Sequence, residues 1–333
     1  MNVGIIGVSG YTGFELIKLL LNHPKFKINY LAASAESRVE EIFPSLNSIF
    51  EFDVKVADAK EAAKKCELVF LALPHQEAMK YAKELLSLGV KVVDFSADYR
   101  LSQALYEKNY CEHLDPKNLE NAVYGLVELN RDKIRSANLI ANPGCYPTAS
   151  ILAIAAFLPH IDRNFGVIID AKSGVSGAGK KASTTTHFVS VNENANAYNP
   201  IKHRHSDEIK EQISLLASTQ IPTLFVPHLL PITRGMLVSV YAKLNSQIEP
   251  LEILRKFYKN EKFIRIINKP ANIKDVAGTH FCDITAYVSE DKIFINSAID
   301  NLLRGASSQA LANANLMSGF EESLALPTLT VMP

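Results

Sequence analysis

Residues 3–23 read VGIIGVSGYTGFELIKLLLNH. An apolar run gives way to glycines at 7, 10 and 13, and these give way to apolar residues at helical spacing. That succession predicts a strand, a tight turn and a helix, the opening of a βαβ unit. A residue without a Cβ lets backbone N–H groups close on a pyrophosphate, and the helix N-terminus adds partial positive charge. Gly7, Ser9, Gly10, Tyr11, Thr12 and Gly13 are therefore the expected dinucleotide cradle. The spacing is G-x-x-G-x-x-G rather than the commoner G-x-G-x-x-G, so the strand before and the helix after carry the argument.

Working outward, KINYLAAS (27–34), ELVFLAL (67–73) and VKVVDFS (90–96) read as further strands, with QEAMKYAKELLSLG (76–89) a helix ending at Gly89. The alternation predicts an α/β fold whose first domain is a doubly wound, Rossmann-type parallel sheet. Beyond about residue 165 the texture changes to longer strand-like runs: FGVIIDAKSG, TLFVPHLLPI, GMLVSVYAKL, HFCDITAYVS and DKIFINSAI, the last two joined by a hairpin-like turn. These predict a second α+β domain with a mixed, mainly antiparallel sheet. The tail 301–320 is helical again and is expected to pack back on the first domain. The expected division is 1–146 with 301–333 for the dinucleotide, and 147–300 for catalysis, substrate and oligomerisation. Segment 184–206 is polar and weakly periodic and reads as a loop near the site.

A chain of 333 residues has room for two cores. Its 35 basic and 35 acidic residues cancel, which argues against nucleic acid or an anionic membrane as partner. No apolar run reaches membrane-spanning length, and MNVGIIGVSG lacks a basic n-region, so a cytoplasmic enzyme acting on a small molecule is expected. The four cysteines form no C-x-x-C pair and no disulfide framework. Cys66 and Cys282 lie in strand-like sequence and read as structural, and Cys111 as incidental.

The tip of the second strand tests the cofactor. An NAD site usually carries an acid there. Here Ala32, Ala33 and Ser34 are followed by Arg38. Ser34 and Arg38 suit a 2′-phosphate, which favours NADP(H). Asp94, ending another strand, caps a turn or helps to position the site.

Cys145 differs from the other cysteines through its neighbours, NPGCYPT (142–148). Asn142 and Pro143 force a turn, Gly144 permits close approach, and Pro147 suits a first helical turn. Cys145 then sits at a helix N-terminus, where unpaired N–H groups and the dipole favour a thiolate and a developing oxyanion. KHRHSDE (202–208) is the best source of a base: His203 and His205 flank Arg204, and Glu208 follows His205 by three. One imidazole can take the thiol proton while Glu208 orients it, and the other cations can hold an anionic substrate. The same residues with Cys145 could hold zinc, but no second cysteine pair or H-E-x-x-H helix accompanies them, and no metal is expected. DAKSGVSGAGKK (170–181) supplies a small-residue loop with Ser173, Ser176 and Gly177 that lets nicotinamide and substrate approach the backbone.

Taken together, GVSGYTGFEL, FLALPH, DFSADYRL, NPGCYPT, DAKSGVSGAGKK, KHRHSDEI, VPHLLPITRGM and IDNLLRGASSQA resemble the N-acetyl-γ-glutamyl-phosphate reductases, relatives of the aspartate-semialdehyde dehydrogenases. The likeness covers nearly the whole chain. It departs at LPHQ where the family usually has LPHG, at Asp207 where proline is common, and at GASSQA in place of GAAGQA. The resemblance implies NADPH-dependent reduction of N-acetylglutamyl 5-phosphate to the semialdehyde through a Cys145 thioester, in arginine biosynthesis. It implies His205 rather than His203 as proton carrier, oriented by Glu208, with Arg100, His203, Arg204 and Ser173 toward substrate. Pro74, Ser176, Gly177 and Asn301 would face the cofactor, and the family implies a homodimer or homotetramer. The same chemistry on a carrier-linked aminoadipyl phosphate is the near alternative. A redox-sensing NADP-binding regulator and a zinc hydrolase are the distant ones.

Overall fold

The computed structural model describes residues 1–331. The described residues form two compact units, Met1–Pro143 with Ala306–Leu326, and Gly144–Gly305 with residues 327–331.

The strands of the first unit are β1 (Asn2–Ile6), β2 (Lys27–Ala33), β3 (Ser37–Arg38), β4 (Asp53–Val56), β5 (Leu68–Leu71), β6 (Lys91–Asp94), β7 (Val123–Tyr124) and β8 (Leu139–Ala141). They form one sheet in the order β3-β4-β2-β1-β5-β6-β8-β7. Every pairing is parallel except the edge pair β3–β4. The central strands are apolar runs because both faces are covered: Val3, Ile5, Ile6, Leu68, Val69, Phe70 and Leu71 are fully buried. Chain order reverses at β1, with β2 on one side and β5 on the other, and such a switch point opens a ligand crevice at the carboxyl ends of the strands.

The second unit holds β9 (Val167–Gly174), β10 (Asn196–Ala197), β11 (Thr223–Leu230), β12 (Met236–Lys243), β13 (Ile264–Ile266), β14 (Cys282–Ser289) and β15 (Lys292–Ile299). Their order is β10-β11-β9-β12-β15-β14-β13, with β9–β11 and β13–β14 parallel and the other pairs antiparallel. One face carries the helix Cys145–Ile154, packed on β12 and β15 and pinned where the Ser297 hydroxyl donates to the Ala149 carbonyl at 3.0 Å. Among the described residues no helix is long and apolar enough to cross a membrane.

Two expectations are corrected. Residues 144–146, 301–305 and 327–331 lie in the second unit rather than the first: the Gly235 N–H bonds the Asn301 side chain, and the His280 N–H bonds the Pro327 carbonyl at 2.8 Å. The helix Ser308–Met317, buried at all ten positions, belongs to the first unit, where it packs on the helices Tyr11–Leu21 and Val127–Ser136. Segment 184–206 is not a loop throughout. It contains the short elements Thr184–Thr186, Phe188–Val191 and β10, and a helix starts at His205.

The loop after β5 carries Gln76 at φ +73°, a left-handed conformation that costs a side-chain-bearing residue about 1–2 kcal/mol. Its N–H is fixed on Asp98 Oδ1 at 2.7 Å, so the loop cannot relax out of this conformation without losing a bond. Replacing Gln76 with glycine is expected to raise unfolding stability by roughly 0.5–1 kcal/mol, the gain being reduced by the entropy glycine adds to the unfolded chain. Urea unfolding of the two proteins checks this.

Candidate active site

The dinucleotide half is built at the carboxyl end of β1. Gly7 has φ +91°, and a Cβ there would lie 2.3 Å from the Ala72 carbonyl oxygen; one on Gly13 would lie 2.3 Å from that of Val8. Both glycines are therefore demanded by the protein's own packing. Gly10 is not: a Cβ there would meet nothing nearer than 3.9 Å. It caps the helix Tyr11–Leu21 without a side-chain cap and with no acid in the first turn. The first intrahelical bond is Phe14 N–H to Gly10 O, which leaves the N–H groups of Tyr11, Thr12 and Gly13 without helical partners. Open space at a glycine beside orphan donors at a helix N-terminus fits a pyrophosphate.

The two residues expected at a 2′-phosphate stand apart. Ser34 is exposed at the tip of β2. Arg38 is not at the tip. It pairs with Asp53 across β3–β4, and β4 runs beside β2 with Val54 opposite Leu31. At about 3.3 Å per residue, Arg38 stands roughly 10 Å back from Ala33 along the sheet edge. Its guanidinium meets Glu40, Asp53 (3.2 Å) and Glu51 (3.5 Å). Opposite charge at the edge strand, not cofactor geometry, sets its place.

The loops after β5 and β6 are locked together. Asp98 accepts the N–H groups of Gln76 and Met79 and the Tyr106 hydroxyl, and His75 Nδ1 accepts the Ala97 N–H at 2.8 Å. Pro74 stands exposed in the first of these loops. Arg100, 7% exposed, donates from Nη2 to the Phe95 carbonyl at 2.6 Å, so the turn that carries it also aims it. Asp94 accepts both the N–H and the hydroxyl of Ser96. Burial, with the charge of Asp98 adding to it, pushes its carboxyl up to about 7.

The thiol half lies in the second unit. In the helix Cys145–Ile154 every residue is buried except the first, Cys145, which is half-buried. A helix apolar all round has to lie in an interior, and only its N-terminal end is open to a ligand. Gly144 is the N-cap, and its N–H donates to Glu208 Oε1 at 3.0 Å. The positive end of the helix dipole is thus presented at Cys145. Glu208, 2% exposed, sits in the first turn of the helix His205–Leu216. The carboxylate expected to orient an imidazole is thus found holding the residue before the nucleophile.

The histidines come to the same place through Tyr146. Its ring lies 5.5 Å from that of His203 and 5.9 Å from that of His205, and the two imidazoles are 4.9 Å apart. The Tyr146 hydroxyl donates to the His228 carbonyl and accepts from the Tyr198 hydroxyl at 3.0 Å, and Ser173 bonds it as well. His203 Nδ1 accepts the His205 N–H at 3.1 Å. Burial, then the charge of Arg204, brings the His203 pKa down to about 4. This corrects the reading of His203 as an anion-binding cation: it is a neutral ring that braces His205. Arg204 is exposed at the head of the helix and keeps its charge available.

Asn301 is 2% exposed; its Oδ1 accepts the Gly235 N–H at 2.6 Å and its Nδ2 donates to the Ser176 hydroxyl at 3.0 Å. These bonds tie it to the glycine-rich loop that holds Ser176 and Gly177. A Cβ on Gly177 would lie 2.9 Å from Ser173 Oγ, so that loop is closely packed. Arg234 was not singled out in the sequence. Its Nη1 lies 3.2 Å from the fully buried Asp300, and its backbone packs on Gly174. A lone arginine between a long apolar run and a glycine, in PITRGM, was the available signal. Among the described residues no group of three or more His, Cys, Asp and Glu side chains could hold a metal ion.

Comparison with known proteins agrees with this layout. Residues 2–137 match the semialdehyde dehydrogenase NAD binding domain, and residues 145–301 match the semialdehyde dehydrogenase dimerisation domain. A chain from Campylobacter curvus named N-acetyl-gamma-glutamyl-phosphate reductase is 73% identical, with 99% of this chain and 98% of that relative covered. One of the same name from Sulfurovum sp. is 55% identical over the full length of both. Among solved structures, aspartate semialdehyde dehydrogenase II of Vibrio cholerae superposes with a TM-score of 0.73 at 16% identity, covering 96% of this chain and 98% of that one; at this identity the likeness is one of fold.

Two outcomes are expected from this geometry. Glu208→Ala strands the buried Gly144 N–H and is expected to cost about 1–3 kcal/mol in urea unfolding, while Glu208→Gln, which keeps an acceptor, costs well under half of that. For Asp94, the unfolded carboxyl ionises near 4 and the folded one near 7, so the stability this group contributes is fully present below pH 4 and is lost as the pH rises through 7. Between pH 5 and 8 the wild-type protein is expected to lose about 2 kcal/mol more than Asp94→Asn.

Proposed function

The chain belongs to the N-acetyl-γ-glutamyl-phosphate reductase family of semialdehyde dehydrogenases, and on that footing we propose that it reduces N-acetyl-L-glutamyl 5-phosphate to N-acetyl-L-glutamate 5-semialdehyde and phosphate. The observation that carries the chemistry is Cys145, the one accessible residue of a buried helix, at its N-terminus and next in the chain to Tyr146, whose ring meets both His203 and His205.

His205 takes the Cys145 thiol proton, and His203, held neutral by burial, does not compete for it. The thiolate adds to the acyl carbon, a C–S bond forms, and the C–O bond to phosphate breaks with its electron pair leaving on phosphate. The oxyanion that forms on the way lies at the first turn of the helix, where backbone N–H groups and the dipole favour negative charge. NADPH, when bound in the first unit, would supply the hydride that converts the thioester to a thiohemiacetal oxyanion. The His205 imidazolium faces that oxyanion as a hydrogen-bond donor and keeps its proton. As the oxygen re-forms the C=O bond, the C–S bond breaks with its electron pair leaving on sulfur, and the Cys145 thiolate and the aldehyde are released. In the second unit, exposed Arg204 is the cation offered to the phosphate or carboxylate of the substrate, and in the first unit exposed Ser34 is the group offered to a 2′-phosphate.

We assign the first unit to the dinucleotide and the second to catalysis and self-association, and read the protein as a cytoplasmic homodimer or homotetramer. Supporting this is an apolar row across the second sheet on consecutive strands, Ile168, Tyr241, Phe294 and Tyr287, with Tyr241 and Tyr287 each about two-fifths exposed. Such a row is what a partner sheet would cover.

The test runs the reaction backward. Phosphate-dependent oxidation of N-acetylglutamate semialdehyde is expected with NADP, and Cys145→Ser is expected to lower it by at least about 10³-fold while NADPH still binds in fluorescence titration. Turnover by Cys145→Ser within tenfold of wild type would refute the nucleophile assignment.

A further inference from the structure

Immediately after β15 the chain makes a π-type turn over Leu303–Ser307, and Gly305 lies in it. Its φ is outside the left-handed region, so backbone conformation does not require glycine here. Contact does. A Cβ on Gly305 would stand 2.6 Å from Cys145 Cβ and 3.1 Å from Cys145 Cα, with Ile299 Cδ1 next at 3.4 Å. Carbon atoms rest at about 3.5–4.0 Å, so a methyl group here requires roughly 1 Å of movement by one partner.

The turn is the partner that cannot move. The Gly305 N–H closes it on the Asp300 carbonyl at 2.9 Å. Asp300, fully buried, accepts the N–H groups of Leu302 and Leu303 on one oxygen; its other oxygen accepts the Gly278 N–H at 2.7 Å and Arg234 Nη1 at 3.2 Å. Arg304, also fully buried, donates to His280. Each of these groups would be left buried without its partner if the turn withdrew, at about 1–3 kcal/mol apiece. The head of the Cys145 helix is held by the Gly144–Glu208 bond and, at Tyr146, by bonds to the His228 carbonyl and the Tyr198 hydroxyl, and it is the side that the added methyl displaces.

We infer that Gly305 is a positioning residue for the Cys145 thiol: its bare Cα is the surface against which the nucleophile's Cβ is seated. The inference rests on the reading of Cys145 as nucleophile. Adding one methyl displaces the sulfur by about 1 Å, and a misplacement of that size costs on the order of 10²-fold in rate.

The experiment compares wild type with Gly305→Ala in three measurements: iodoacetamide alkylation of the Cys145 peptide followed by mass spectrometry, phosphate-dependent aldehyde oxidation, and NADPH affinity by fluorescence. Alkylation at pH 7 is expected to slow about tenfold or more and turnover by about 10–100-fold, with NADPH affinity unchanged within twofold. A Gly305→Ala protein that is less stable yet alkylated and turning over at wild-type rates per folded molecule overturns the inference, since a packing role alone moves only stability. Should Gly305→Ala fail to fold, Asp300→Asn takes its place: it keeps an oxygen for Leu302 and Leu303 but gives up the charge facing Arg234. Several-fold slower Cys145 alkylation then supports the inference, and an unchanged rate overturns it. If Cys145 of the wild-type enzyme carries no acyl group during turnover, it is the nucleophile assignment that fails, whatever Gly305→Ala does.

Discussion

A helix without a polar face can be placed in only one way. Residues 145–154, CYPTASILAI, bury every side chain after the first, so the helix has to run through the interior of its unit and meet the surface at its N-terminus alone. Gly144, one residue before that opening, is buried, and the carboxylate of Glu208 meets its N–H. Much of the second unit's site follows from that bond. It brings the helix His205–Leu216 against the nucleophile's helix, and with it the two imidazoles, while Tyr146 fills the space between them.

The first unit solves a different problem, that of binding an anion with backbone. Gly7 and Gly13 are closed in by neighbouring carbonyls, so they serve packing; only Gly10 leaves the space that a phosphate needs. The three glycines look alike in the sequence and differ entirely in what surrounds them. Around this cradle the loops after β5 and β6 are tied by His75 and Asp98, each of which accepts backbone N–H groups from another segment. The strain at Gln76 and the raised Asp94 carboxyl are the costs of this tight construction.

Legibility in the sequence followed periodicity. The long apolar strands of both sheets and the helix after the glycine turn announced themselves, because burial on one or both faces repeats along the chain. Strands β3, β7 and β10, two residues each, have no period to read and exist only because a neighbouring edge accepts them. The helix from His205 was hidden by its polar opening, HRHSDE, although Ile209 and Ile213 one turn apart marked its buried side. Arg38 was misread for a related reason: its charge suggested a phosphate, but three carboxylates brought together by the sheet edge claim it first. Asn301 likewise stands far from Gly235 and Ser176 in the sequence, yet its amide bonds both.

The sequence by itself determined the kinds of layer, the glycine turn at a strand end, and the thiol at a helix head, because each depends on residues adjacent in the chain. Tertiary structure decided which charges remain available. His203 is neutral because rings from four segments enclose it, Arg38 stays charged and is paired with carboxylates up to fifteen positions away, and Glu208 meets a peptide sixty-four positions before it. A side chain's charge state and partners are set by what the fold brings within a few ångströms, and that distance has no counterpart in the linear order of the chain.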